Sequence, residues 1–118
     1  MADLSKLKRI VDIEYNDITR DSSIHHDKLR VFIKDSSIVD IWFSKKIPGR
    51  FSYHWEGRQI DGGIYRHDNF PDPRWKEVAT FPKHFHNGSQ NRVQESKIND
   101  DPASGVREFM DFIRKMLE

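Results

Sequence analysis

Four of the six histidines of this chain lie in one aromatic and basic stretch that runs from Arg50 to Gly88. They are His54, His67, His84 and His86. Histidine is the one side chain whose unperturbed pKa lies close to neutral pH, so a group of them suits proton transfer. The last pair is spaced His-Phe-His, and on a β-strand alternate side chains project from the same face. This spacing predicts a site built on His84 and His86.

Two imidazoles on one face are compatible with two kinds of chemistry. The first is acid–base catalysis, such as the cleavage of RNA through its own 2′-hydroxyl, which needs a base, an acid and a cation near the phosphate. Nearby cations are Lys83, Arg66 and Arg58. The second is metal binding, in which His67 and Asp68 could join the pair as ligands. The sequence has no set rich in Asp or Glu here, which favours a nuclease that works without a metal.

Other residues of the stretch are less clearly indicated as members of the site. Asp68 follows His67 directly and could orient an imidazole through space. His54 and His67 are expected on neighbouring strands, but the sequence does not give the register that would place them beside His84. Aromatic side chains of the stretch could stack on unpaired bases: they are Tyr53, Trp55, Tyr65, Phe70 and Trp75. Packing in the core is the commoner role for such residues, and the His-x-His pair could equally be a half-exposed strand edge without a ligand.

Composition limits the class of protein. The chain has 118 residues, which predicts a single domain over residues 1–118. It contains no cysteine, and this excludes disulfides, thiolate zinc sites and a cysteine nucleophile. The net charge of +1 does not by itself indicate a nucleic-acid-binding protein. No apolar run is long enough for a signal peptide or a membrane span, so a cytoplasmic protein is expected.

Hydrophobic periodicity predicts helices at both ends of the chain and strands between them. A helix is expected from residue 2 to about residue 11, followed by a strand-like alternation from Val11, and residues 21–27 are expected to form a loop. Four strands are predicted: Lys28–Lys34, Ile38–Ser44, Arg50–Glu56 and Ile60–Asp68. Residues 78–86 are expected to be extended, with Phe81 and Phe85 anchored in the core. Residues 89–100 are polar and expected to be mobile, with no strand assigned to them.

The C-terminal helix has the clearest signal. Asp101 suits the N-cap, Pro102 suits the first helical position, and apolar residues then recur at helical spacing. The short turns between the predicted strands favour an antiparallel meander. The predicted fold is therefore α+β, with a sheet of four to six strands and an N-terminal and a C-terminal helix packed on one face.

Three motifs of the stretch resemble the TumE-like toxins of prokaryotic toxin–antitoxin systems. The motifs are Tyr53-His54-Trp55, the run from Tyr65 to Pro71 (YRHDNFP) and the run from Thr80 to Gly88 (TFPKHFHNG). The residues that match the family pattern are His54, Asp68, Asn69, Pro71, Phe81, Pro82, His84 and His86. The chain departs from the pattern at His67, Asp72 and Lys83. The resemblance implies a small intracellular toxin that acts on RNA and is made beside a DNA-binding antitoxin.

The residues and the resemblance together predict a toxin-like, metal-independent endoribonuclease. The predicted catalytic residues are His84 and His86, supported by His54, His67 and Asp68. The predicted substrate-binding residues are Lys83, Arg66, Arg58, Asn69, Tyr53 and Trp55. The expected partners are RNA and a DNA-binding antitoxin, no cofactor or membrane is expected, and homodimerisation is left open. Two alternatives remain, namely a non-catalytic module that binds nucleic acid or protein, and a metal-dependent enzyme that uses His67, His84 and His86.

Overall fold

The computed structural model describes residues 2–57 and 62–118. Its helices are α1 (Leu4–Glu14) and α2 (Pro102–Met116), with a short 3-10 helix at Pro73–Trp75. Its strands are β1 (Thr19–His25), β2 (Lys28–Ile33), β3 (Ile38–Phe43), β4 (Phe51–Gly57), β5 (Gly63–Asp68), β6 (His84–Gly88) and β7 (Val93–Glu95). Of the predicted fourth strand, residues 60 and 61 lie outside the described residues.

The strands follow one another across the sheet in the order of the chain. Within the described residues, seven strands form one sheet in the order β1 to β7, and each neighbouring pair is antiparallel. Short connections favour antiparallel pairing between most neighbouring strands, because a parallel pair would need a long crossover, and the long segment 69–83 joins β5 and β6. The predicted α+β meander with a helix near each end is therefore confirmed, and the sheet has more strands than the four to six that were predicted.

The core lies between one face of the sheet and the two helices. Strand residues at alternate positions point into it, among them Val31 on β2, Ile41 on β3 and Trp55 on β4, each fully buried. Helix α1 contributes Leu7 and α2 contributes Phe109 to the same buried cluster. The side chains at the intervening strand positions project from the opposite face of the sheet, against which neither α1 nor α2 packs.

The ends of the helices agree with the capping signals. The Asp101 carboxylate accepts a hydrogen bond from the backbone N–H of Ser104 at 3.0 Å, and Pro102 occupies the first helical position. The Asp3 carboxylate caps α1 by accepting from the N–H of Lys6 at 3.2 Å. Neither helix is long and apolar enough to cross a membrane, as far as the described residues extend.

Four local predictions were wrong. Helix α1 continues to Glu14 because Val11 packs in the core at helical spacing with Leu7, so the alternation from Val11 was misleading. Residues 19–25 form β1 rather than a loop, since pairing with β2 satisfies their backbone. Residues 78–83 form turns, and Phe81 is exposed rather than anchored. Residues 93–95 form β7, which pairs with β6.

Candidate active site

The register between β5 and β6 places four polar side chains of the sequence motifs beside one another. Asp68 lies directly opposite His84, and Arg66 lies directly opposite His86. These positions all belong to the face of the sheet that points away from the helices, because each is two residues from its neighbour on the same strand. The sequence predicted that His84 and His86 share a face, and the structure confirms it, with ring centroids 4.9 Å apart.

The segment 69–83 crosses this face and forms a cavity above it of about 360 Å³. The floor of the cavity contains the four residues of β5 and β6: Arg66, Asp68, His84 and His86. Phe70 and Trp75 contribute to its walls, and the Trp75 ring lies 6.0 Å from that of His86. The pocket is therefore an open, polar depression with an aromatic wall.

Asp68 is the buried centre of the cluster. Its side chain is about 5% exposed. One oxygen, Oδ1, accepts a hydrogen bond from the backbone N–H of Phe70 at 3.0 Å, and Oδ2 accepts from Nε of Arg66 at 3.0 Å. These contacts hold the carboxylate in one orientation, with both oxygens facing the imidazoles.

Both histidines are fixed in the same tautomer by backbone carbonyls. Nδ1 of His84 lies 2.8 Å from the carbonyl oxygen of Pro82, and Nδ1 of His86 lies 2.9 Å from that of Gln90. A carbonyl only accepts, so each Nδ1 carries the proton and donates it. In the neutral rings Nε2 then carries the lone pair. The two Nε2 atoms point toward Asp68, at 3.3 Å from Oδ1 for His84 and 3.8 Å from Oδ2 for His86.

Arg66 supplies the positive charge of the cluster. Its Nη2 lies 3.1 Å from Nε2 of His86, while its Nε donates to Asp68. Because a guanidinium only donates, His86 accepts this bond through its lone pair. Burial is the main cause that lowers the pKa of His86, and the nearby Arg66 charge acts in the same direction. Both effects favour a neutral His86.

Three of the predicted residues do not reach the cluster. His67 points to the helix side of the sheet, where its ring stacks on Phe85 with centroids 4.1 Å apart and its Nδ1 lies 2.7 Å from Oγ of Ser96. Lys83 also points away, and its Nζ donates to the carbonyl of Ile98 at 2.6 Å. His67 is one residue out of step with Arg66 and Asp68 on β5, so the pleat turns it to the other face. Lys83 lies just before the first residue of β6. His54 lies on the correct face, but it stands one strand farther away, opposite Arg66.

Of the five aromatic residues that could stack on bases, Tyr53, Trp55 and Tyr65 lie in the core, whereas Phe70 and Trp75 line the pocket. Tyr53 and Trp55 are 1% and 0% exposed, which leaves no ring face for a nucleobase. Asn69 has a structural role, since its Oδ1 accepts from the N–H of Phe51 and its Nδ2 donates to the carbonyl of Gly49. Arg58 lies outside the described residues. The prediction that Tyr53 and Trp55 bind substrate is therefore wrong, for reasons of burial.

The structure adds contributors that sequence reasoning missed. The carbonyls of Pro82 and Gln90 orient the imidazoles, and backbone groups have no signature in the residue types. Ser52 lies beside Asp68 on β4 and lines the pocket. Strand alternation puts Ser52 on the same face as His54, so this position could have been found from the sequence. No sequence pattern indicates the role of the Gln90 carbonyl, since it depends on how the β6–β7 turn folds back.

The cluster has the composition of a metal-binding group. One ligand atom each from Asp68, His84 and His86 can be chosen so that all three lie within 4.8 Å of one another. The sequence suggested His67 and Asp68 as ligands beside His84 and His86, and the metal-dependent alternative used His67; the group found here contains Asp68 but not His67. His67 cannot contribute, because it lies on the opposite face of the sheet.

Comparison with known proteins gives one match. A protein-family model described as Toxin TumE matches residues 2–117, which is nearly the whole chain. The matched range includes both helices, the complete sheet and every residue of the cluster. No curated protein and no solved structure matches the chain.

Proposed function

The chain belongs to the TumE toxin family, and from this premise we propose that it is the toxin of a toxin–antitoxin pair and acts in the cytoplasm as a metal-independent endoribonuclease. One observation supports the cleavage chemistry most strongly. The Nε2 atoms of His84 and His86 converge on the buried Asp68, beside a guanidinium and at the bottom of an open pocket. Acid, base and cation are the groups that RNA cleavage through the 2′-hydroxyl requires.

His86 is the proposed general base. Its Nε2 carries a lone pair, and burial keeps the ring neutral. When substrate binds, Nε2 removes the proton of the 2′-hydroxyl, and the 2′-oxygen attacks the adjacent phosphorus. Arg66, which caps this lone pair in the free protein, turns toward the phosphate at the same time and releases it.

His84 is the proposed general acid. Its Nε2 faces Oδ1 of Asp68 at 3.3 Å, so a proton on Nε2 points toward the carboxylate. The protonated Nε2 donates to the 5′-oxygen as the bond from phosphorus to that oxygen breaks. The products are a 2′,3′-cyclic phosphate and a free 5′-hydroxyl, and the proton balance is restored when the two histidines exchange protons with water.

Arg66 is the proposed phosphate-binding residue. A guanidinium matches two phosphate oxygens with parallel N–H donors and remains charged at any working pH. Asp68 positions the acid, and the carbonyls of Pro82 and Gln90 keep both rings in the orientation that turns Nε2 toward Asp68 at the bottom of the pocket. Asp68 is thus a positioning residue. His54, one strand away, is near enough to act on the RNA flanking the scissile bond.

The proposed partner is a DNA-binding antitoxin. The family membership supports this, because a toxin of this kind is made beside a protein that neutralises it. Co-expression with the neighbouring reading frame should give a complex that purifies together and does not cleave RNA. A toxin that stays fully active in the presence of the neighbouring product would contradict this part of the proposal.

The test is cleavage of a mixed RNA pool by purified protein with a chelator present throughout. Wild-type protein should cleave, and His84→Ala and His86→Ala should each lose about 100-fold to 10,000-fold in rate, as expected when a general acid or base is removed. The matched control is His25→Ala, which removes an exposed histidine of β1 far from the pocket. The products should carry cyclic phosphate ends.

The outcomes separate the alternatives. Cleavage that both histidine variants retain at the wild-type rate would overturn the proposed mechanism. Salt-dependent RNA binding without any product would instead indicate a non-catalytic binding module. Far-ultraviolet circular dichroism of each variant is needed beside the assay, because His84 and His86 are buried and their removal could affect folding.

A further inference from the structure

The donor atoms of Asp68, His84 and His86 surround one point at the bottom of the pocket. A tetrahedral zinc ion binds histidine nitrogen and carboxylate oxygen at about 2.0–2.2 Å, which places neighbouring ligand atoms roughly 3.3 Å apart. Nε2 of His84 lies 3.3 Å from Oδ1 of Asp68, and Nε2 of His86 lies 3.8 Å from Oδ2. One ligand atom from each of the three residues lies within 4.8 Å of the other two, so the side chains need only close slightly to surround one ion.

The supporting contacts are those of a metal ligand set. A histidine that binds a metal almost always donates its other ring N–H to a carbonyl or carboxylate, which fixes the ring and raises its basicity. His84 and His86 both do so, to the carbonyls of Pro82 and Gln90. The Asp68 carboxylate is likewise held by the N–H of Phe70. All three ligand side chains are therefore oriented before any ion arrives.

From this geometry we propose that Asp68, His84 and His86 bind a divalent transition-metal ion of the Zn²⁺ class, and that the bound ion inhibits the toxin. Two imidazoles and one carboxylate select Zn²⁺ or a similar first-row ion, whereas Mg²⁺ prefers oxygen ligands alone. The protein then fills three positions of a tetrahedral ion. The fourth faces the pocket and is open to water or to a phosphate oxygen.

Inhibition rests on the function proposed above. An ion that holds Nε2 of His84 and Nε2 of His86 removes the lone pair of the base and the proton of the acid at once. RNA cleavage should therefore stop as the site fills and should return when a chelator removes the ion. Free zinc would then be a second control on the toxin, independent of the antitoxin.

Arg66 competes with the ion for the same atoms. Its guanidinium contacts both Nε2 of His86 and Oδ2 of Asp68, so it must move aside before an ion can bind. Removing this charge should strengthen metal binding while it weakens the binding of RNA phosphate. This opposite response is specific to the proposed arrangement, because a variant that merely damages the fold would weaken both.

The test is calorimetric titration of untagged, chelator-treated protein with Zn²⁺ and, separately, with Mg²⁺. Wild-type protein should bind one Zn²⁺ and no Mg²⁺ at the pocket. His84→Ala, His86→Ala and Asp68→Asn should each weaken Zn²⁺ binding by more than the roughly 10–100-fold that loss of a supporting contact causes. Arg66→Ala should bind Zn²⁺ more tightly than wild type. The spectrum of bound Co²⁺ gives an independent readout of tetrahedral coordination.

The matched control is the double variant His25→Ala and His26→Ala, which removes an exposed histidine pair that could bind zinc on its own. Tight Zn²⁺ binding that this control loses, or that all three pocket variants keep, would overturn the proposed site. So would an absence of binding by wild-type protein. Arg66→Ala remains informative even if a ligand variant is poorly folded, since this variant is expected to gain affinity for Zn²⁺.

Activity measured in the same samples separates this inference from the proposed function. Cleavage in chelator that Zn²⁺ abolishes supports both. No cleavage under any condition, with Zn²⁺ bound at the pocket, supports the site and overturns the nuclease. Cleavage that requires Zn²⁺ supports the site but overturns both the inhibition and the metal-independent mechanism, in favour of a metal-dependent enzyme.

Discussion

His67 stacks face to face on Phe85, its direct partner across β5 and β6, with ring centroids 4.1 Å apart and planes 9° from parallel. The pair lies on the helix side of the sheet, against Phe109 of α2. The neighbouring pair of Asp68 and His84 lies on the other side. Adjacent residue pairs of β5 and β6 thus differ in role. The histidine of one pair packs in the core, and the histidine of the next lines the pocket.

The packed histidine should make stability depend on pH. Burial is the main cause that lowers the pKa of His67, to about 3, from the value near 6.5 expected in the unfolded chain. Between these values the unfolded state binds a proton that the folded state does not. The free energy of unfolding should therefore fall as pH drops from about 6.5 toward 3, by up to about 1.4 kcal/mol per pH unit from this residue.

Denaturant unfolding at several pH values checks this prediction. His67→Phe keeps the stack on Phe85 but cannot be protonated, so its stability should fall less steeply with acid than that of wild type. The exposed His25→Gln variant serves as the control for the loss of one histidine. Identical pH slopes for His67→Phe and wild type would show that this ring is not protected from protons by the fold.

Arg66 should account for a measurable part of the salt dependence of RNA binding. Each phosphate contact with single-stranded nucleic acid contributes about −0.7 to the slope of log K against log salt. Arg66→Ala should reduce the steepness by about that amount, whereas Arg66→Lys should keep the slope but cleave slowly, because a lysine lacks the two parallel donors. Arg107→Ala, on the helix side, is the control and should leave the slope unchanged. An unaltered slope in Arg66→Ala would exclude Arg66 as a phosphate ligand.

Two aromatic residues should respond to substitution in opposite ways. Trp55 is fully buried and donates from Nε1 to Oγ of Ser37 at 2.9 Å, so Trp55→Ala should cost about 3–5 kcal/mol of stability. Phe70 is 40% exposed at the edge of the pocket, so Phe70→Ala should cost far less stability. If a base stacks on it, RNA binding should weaken by about 1–3 kcal/mol. Unfolding and RNA titration of both variants test this, and a stable Trp55→Ala that binds RNA poorly would reverse the assignment.

Gly105 should not tolerate a larger residue. It lies on α2 against the sheet, and a Cβ at this position would collide with the hydroxyl of Tyr53 and approach the carbonyl oxygen of Asn99 to 2.9 Å. Alanine favours a helix over glycine by up to about 1 kcal/mol, yet here Gly105→Ala should lower the melting temperature. The exposed Lys115→Ala serves as a control for substitution on the same helix. A melting temperature above that of wild type would mean that α2 can move away from β4 at little cost.

Much of the architecture was predictable because local signals agree with tertiary structure there. The strands β2 to β4 alternate cleanly, and Asp101 followed by Pro102 marks the start of α2. Helix α1 and strand β1 were less predictable for a physical reason. The apolar residues from Val11 to Tyr15 are compatible with both helical and strand periodicity. The Asp and Ser residues of β1 are typical of a turn, and they form a strand because pairing with β2 satisfies their backbone.

The site was predictable only in part. The spacing of His84 and His86 determines that they share a face, but the position of Asp68 opposite His84 depends on register. A shift of one residue would have brought His67 into the pocket and removed Asp68 from it. The orientation of both rings depends on the carbonyls of Pro82 and Gln90, which belong to segments whose shape has no periodic signal.

The order of the strands has a consequence for how the toxin is made. Every strand pairs with its predecessor, so the sheet can grow as the nascent chain leaves the ribosome. Asp68 and Arg66 emerge before their histidine partners, and the cluster cannot exist until β6 has been translated. A ribosome that stalls earlier therefore releases a fragment that carries Asp68 and Arg66 but neither imidazole of the cluster. Under the proposed mechanism such a fragment cannot cleave RNA, so interrupted synthesis should be harmless to the cell that makes this protein.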